Sequence, residues 1–219
     1  MPRTNIAVRV AGTWLTIASF LLVAALVTHG PLAPELSDQM KNIADRAMMW
    51  SVIHWVSAAS LSLYAMTGLI VLSSGSRLAA RGWTMTAWAM LTVGALWTMT
   101  TAVAEATAVT DAALSGAKEM FEAWWAFAEG KASGVAFLAL AVAMISGNEA
   151  QSSERAVPAW SAWIAVVSAV ASFAGWALGR WFGLDFGNLL WVVSSVLMSV
   201  WTFWFGFALM RSGADAELN

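Results

Sequence analysis

The stretch Glu119–Ser146, EMFEAWWAFAEGKASGVAFLALAVAMIS, decides how this chain is read. The apolar run after Lys131, Ala132–Ile145, is 14 residues long. At about 1.5 Å per residue it reaches roughly 21 Å, short of a hydrocarbon core about 30 Å thick. To cross, the helix must recruit the turns that hold Trp124, Trp125 and Phe127. Glu129 and Lys131 then fall at membrane depth, where a charge is costly and marks a functional site by default.

On either side of that stretch the same composition recurs. Six apolar segments stand out: Val10–Thr28, Met49–Leu72, Trp83–Ala108, Ala123–Ser146, Ala159–Gly179 and Leu189–Met210. Each is long enough to span as a helix, and no alternating ten-residue segments suggest a barrel. The expectation is an all-α integral membrane protein: one domain over residues 1–219, six transmembrane helices and short loops. Of the 219 residues 60% are hydrophobic and only 11% charged, against about 25% in a soluble domain. One soluble core could not hide that much apolar surface.

Other classes are excluded by what is missing. The net charge of -2 and the absence of a Lys/Arg cluster argue against a nucleic-acid partner. There is no Cys, so thiolate catalysis, disulfides and Fe–S clusters are out. No G-x-S-x-G, H-E-x-x-H or P-loop occurs, which leaves enzyme the least supported class. Arg3 and Arg9 precede the first apolar run as in a signal peptide, but the run has full span length and no small-x-small site follows. It reads as a retained first span.

Basic residues set the expected orientation. Six spans put both termini on one side with Arg3, Arg9, Arg77, Arg81, Arg155 and Arg211; Lys41, Arg46, Lys118 and Arg180 fall opposite. The positive-inside rule assigns the termini to the cytoplasm, in a prokaryotic inner membrane. Two outer linkers look helical. In PELSDQMKNIADRAMMW, Leu36, Met40, Ile43 and Ala47 recur at helical spacing, and TDAALSGAKEMFE is a weaker second case. Of fifteen Trp, those near helix ends, Trp50 among them, read as an aromatic belt; Trp88, Trp97 and Trp176 lie deeper, as packing or pocket-lining residues.

Helix faces then decide what the ionisable groups can reach. Ser161, Ala165, Ser168, Ser172, Gly175 and Gly179 form a small-residue stripe on the fifth span. Ser195, Ser199, Thr202 and Gly206 answer on the sixth, so these two should pack as a tight hairpin. The same spacing groups Ser51, His54, Ala58, Leu61, Ala65 and Gly68 on the second span. It groups Gly94, Thr98, Thr101 and Glu105 on the third, and Ala126, Glu129, Ser133 and Ala136 on the fourth. His54, Glu105 and Glu129 therefore sit on helix-facing surfaces in the outer half, and are the candidate ligand-binding residues. His29 is near enough to join them. Lys131 lies about 200° from Glu129 around their helix and is expected to snorkel.

Three functional readings follow. Two carboxylates and an imidazole in a half-buried cavity suit the binding or transport of a proton, a cation or an amine. An accessory or assembly role in a larger membrane complex, or a homo-oligomer, fits the small-residue and Trp faces equally. The third is redox: IHWVSAASLSLYAMTG, Ile53–Gly68, resembles the His-Trp…Thr-Gly span of b-type cytochrome membrane anchors. That resemblance implies haem held between histidines on facing helices. His29 and His54 are the two available, and they are also the candidate metal ligands; alternatively, His54 with Glu105 and Glu129 offers a two-carboxylate, one-His set for a divalent metal. No cofactor is required by the sequence; the expected partners are the lipid bilayer and, in the assembly reading, other membrane subunits or further copies of the chain.

Overall fold

The computed structural model describes residues 3–30, 32–33, 35–128 and 134–215, and no strand occurs among them. The helices are α1 (Arg3–His29), α2 (Leu36–Asp45), α3 (Ala47–Ser73), α4 (Gly82–Ala104), α5 (Thr110–Ser115), α6 (Lys118–Ala128), α7 (Val135–Gln151), α8 (Ala159–Arg180) and α9 (Asp185–Asp215). A 3-10 turn, Arg77–Ala79, precedes α4, and a π-helical turn, Glu105–Val109, joins α4 to α5. Among the described residues five helical segments are long and apolar enough to cross a membrane: Ile6–His29, Ala47–Ser73, Gly82–Ser115, Ala159–Arg180 and Asp185–Arg211.

The expected fourth span differs. Residues 123–146 divide between α6 and the 17-residue apolar helix α7, about 25 Å long. Glu129, Lys131 and Ser133 lie outside the described residues. At its other end α7 continues beyond Ser146 through Gly147, Asn148 and Glu149 to Gln151. The polar extension holds because Glu149, 1% exposed, is neutralised where it is buried. Arg77 donates from both guanidinium Nη atoms at 3.2 and 3.4 Å, and the Ala156 N–H donates to the same carboxylate. Without those donors the carboxylate would be an uncompensated buried charge, which is strongly destabilising.

The six long helices form a closed ring in chain order: α1 packs on α3, α3 on α4, α4 on α7, α7 on α8, α8 on α9, and α9 returns to α1. One end, here the near end, holds the start of α1 and the finish of α9. Leu15, Leu61, Tyr64, Trp88, Leu91, Val142, Trp201 and Phe205 fill the interior. Outside, Phe20, Val27, Val167 and Leu189 stand exposed, as lipid-facing side chains would.

Several crossings rest on glycines where backbones meet. A Cβ on Gly12 of α1 would lie 2.6 Å from the Gly206 carbonyl of α9, and one on Gly94 of α4 would lie 2.9 Å from the Gly134 carbonyl just ahead of α7. The α8–α9 hairpin forms as expected. Ser161, Ala165, Ser168, Ser172, Gly175 and Gly179 are all buried, and the Ser172 and Ser195 hydroxyls bond at 2.8 Å. The sixth-span stripe, however, is divided. Thr202 and Gly206 face α1 instead, because a closed ring gives α9 two neighbours to satisfy.

At the far end, α2 is amphipathic, burying Gln39 and Ile43 and exposing Asp38 and Lys41. The second linker forms two helices, α5 and α6, broken at Gly116, whose φ of +68° takes the left-handed conformation that glycine adopts without a Cβ clash. Ala117 and Gly116 donate to the carbonyls of Ala112 and Ala113 and close α5. Together α2, α5 and α6 cover a second apolar cluster of Ile43, Trp50, Val109, Ala112, Ala113, Phe121 and Ala128. Two tryptophans depart from expectation. Trp50 is buried in this cluster rather than in a belt, and Trp97 is exposed on α4 beside Phe137 rather than packed inside.

Candidate functional site

Two helices bring His54 and Glu105 together at the far end. His54 sits one turn below Trp50 on α3, and its Nδ1 lies 2.8 Å from the Trp50 carbonyl. A carbonyl can only accept, so Nδ1 carries the proton and Nε2 of the neutral ring is left with its lone pair. That Nε2 faces Glu105 Oε2 at 3.4 Å, and both side chains are close to nine-tenths buried.

Glu105 is placed by the π-helical turn. Widening the helix by one residue frees carbonyls that an α-helix would use. Thr110 Oγ1 donates to the Glu105 carbonyl at 2.8 Å, and Ser51 Oγ of α3 donates to the Ala106 carbonyl at 2.8 Å. The second bond ties α3 to the turn and fixes Glu105 relative to His54. Single π turns recur at functional sites because they re-aim one side chain.

Aromatic and basic groups surround the pair. His29, the last residue of α1, bonds through Nδ1 to the Gly30 carbonyl at 2.9 Å. Its ring centroid is 4.7 Å from Trp50 and 5.2 Å from His54, edge-on; Trp50 and His54 are 4.6 Å apart. Trp125 of α6, stacked on Phe121, closes over Trp50 at 6.4 Å. The indole N–H of Trp50 approaches the Glu105 carboxyl without completing a hydrogen bond of sound geometry. Arg180 is within electrostatic reach of both Glu105 and His29, and Arg46 of His29; the Arg180 guanidinium lies over Trp191 at 5.5 Å.

Of the expected site, His54 and Glu105 meet and His29 joins through Trp50, while Glu129 lies outside the described residues. Among the described residues no group of three or more His, Asp and Glu side chains is placed to hold a metal ion. The arrangement does not suit haem between the two histidines. Iron needs axial nitrogens on opposite faces of a macrocycle, and rings in edge contact at 5.2 Å leave no slot for one.

Sequence reasoning passed over three groups. Trp50 lies one turn before His54, and that i,i+4 spacing was the available signal. Tyr64, the single tyrosine, bonds in mid-bundle to Ser19 and Thr202 at 2.9 Å each, and those two hydroxyls bond to each other at 2.8 Å. Glu149 lay in a segment that reads as linker. Its signal was an acid close behind an apolar helix, with arginines on the neighbouring loop.

The chain matches no protein-family model, no curated protein and no solved structure. Fold and site therefore define a class only: an all-helical chain with membrane-compatible helices and an imidazole–carboxylate pair buried at one end of the bundle.

Proposed function

We propose that this is an integral membrane protein that binds, and passes across the bilayer, a proton or a small cation at the His54–Glu105 pair. One observation carries the reading. With Nδ1–H committed to the Trp50 carbonyl, His54 Nε2 and an ionised Glu105 Oε2 are both acceptors, 3.4 Å apart and shielded from water. Two facing acceptors repel unless a proton resides on one of them or a cation lies between. The pair is thus a one-charge receptor, and a buried imidazole–carboxylate couple is the kind of group that proton pathways use.

The far end is the outer face in this reading, with both termini cytoplasmic in a prokaryotic inner membrane and α2, α5 and α6 lying at the outer interface. The single bilayer-spanning domain would count six crossings, with α7 in the fourth. The test is ion flux in proteoliposomes under an imposed pH, Na⁺ or K⁺ gradient. Wild-type protein should conduct above protein-free vesicles, and Glu105→Gln and His54→Gln should each lose at least tenfold. Equal flux in all three proteins would overturn the assignment. Wild-type flux no greater than that of empty vesicles would favour the accessory-subunit reading instead.

A further inference from the structure

At the near end of the ring, a buried charge sits against a crevice that no part of the far-end site uses. Glu149 and Asn148 line it together with Leu78, Thr84, Trp88, Ile145 and Phe205. A second crevice shares Trp88, Ile145 and Phe205 with the first and reaches Tyr64, Thr202 and Trp201 in mid-bundle. The two crevices are thus neighbours, divided and bordered by the same three side chains, along a line from the carboxylate at the near end to the Tyr64 and Thr202 hydroxyls. Neither has room for more than about one water molecule as the protein stands.

Two features distinguish this column from ordinary packing. Trp201 lines the deeper crevice at 4% exposure, and its indole N–H has no hydrogen-bond partner among the described residues. A buried unsatisfied donor is costly, and water is the usual remedy. In addition, the two partners of the near-end ion pair differ in exposure: the Glu149 side chain is 1% exposed, whereas that of Arg77 is 32% exposed. The guanidinium side of the pair reaches the surface; the carboxylate side does not.

We propose that the near end is a gated water entrance to the middle of the bundle. Glu149 stands at its mouth, Arg77 is the removable plug, and the Tyr64 hydroxyl cluster is its inner terminus. That the water carries protons rests on the function proposed above; the existence of the entrance does not.

The chain contains no cysteine, so single thiols report directly. Ile145→Cys marks the shared stretch and Val142→Cys the deeper one. Each is treated in oriented vesicles with a charged, membrane-impermeant maleimide. With Arg77 present, both thiols should react slowly. Adding Arg77→Ala should speed modification from the Arg77 side at least tenfold, with no gain from the opposite side, and Arg77→Lys should restore the slow rate. Where Arg77→Ala yields no folded protein by thermal melt, Glu149→Gln serves in its place, since it weakens the hold on Arg77 while keeping an acceptor. Unchanged rates in the folded variant would overturn the entrance. So would equal gains from both sides, which would signal loosening of the whole bundle. Neither result bears on flux through His54 and Glu105, so the two ideas fail separately.

Discussion

His54 is constrained on both edges of its ring, by the Trp50 carbonyl at one nitrogen and by Glu105 at the other. This makes the neighbouring substitution informative. Glu105→Gln keeps the shape and supplies an amide N–H that can donate to Nε2, so the pair is satisfied without a shared proton. The expected outcome is a melting temperature in detergent at or above wild type together with lost ion flux. A clear drop in melting temperature would mean that the carboxylate is held mainly as an acceptor for its surroundings. His54 and Glu105 were legible as candidates because small-residue spacing put each on a helix-facing surface. That they touch was not, since one sequence does not say which faces meet. Trp50 was hidden by its own chemistry: a tryptophan at a helix end reads as a headgroup anchor, and only the far-end cover of α2, α5 and α6 makes it interior.

At the scale of elements, glycines separate close crossings from open positions. A Cβ on Gly175 would lie 2.9 Å from the Gly187 carbonyl of α9, where no side chain can yield. Gly175→Ala should cost about 1–3 kcal/mol and Ser172→Leu at least as much. Gly147 of α7 is the contrast, since its Cβ would meet only Val166 at 3.8 Å. Gly147→Ala should stabilise by about 0.5–1 kcal/mol, the usual gain for replacing a helix-interior glycine. Denaturation of both variants in one detergent checks the signs. Tyr64→Phe removes one hydroxyl but leaves Ser19 and Thr202 bonded to each other, for a loss of about 1 kcal/mol. The α8–α9 hairpin was legible from the α8 stripe, although Thr202 and Gly206 of the answering α9 stripe serve α1 instead. The π turn was not, because nothing in Glu105–Val109 departs from an ordinary apolar helix; the extra residue answers to Ser51 on another helix.

For the molecule as a whole, the Arg77–Glu149 pair fastens the loop before α4 to the end of α7, across the near end of the ring. Glu149→Ala strips the guanidinium of its partner and the Ala156 N–H of its acceptor. Because Arg77 is a third exposed, the loss should fall near the lower end of the range for buried pairs, about 3 kcal/mol. Replacing both residues with leucine should recover most of the folded yield, and no recovery would place the weight on the Ala156 contact. The ring was legible as a set of spans but not as a closure, since the return of α9 to α1 depends on Gly12, Ser19, Thr202 and Gly206 meeting from opposite ends of the chain. That closure has a consequence for biosynthesis. While the ribosome is still threading the later helices into the membrane, α1 has α3 beside it and a vacant flank on its other side. Ser19 can reach Tyr64 during that interval, but its second hydroxyl partner arrives only with α9. The nascent protein must therefore keep one notch of its oldest helix open to lipid or to an insertion factor until its youngest helix slots in.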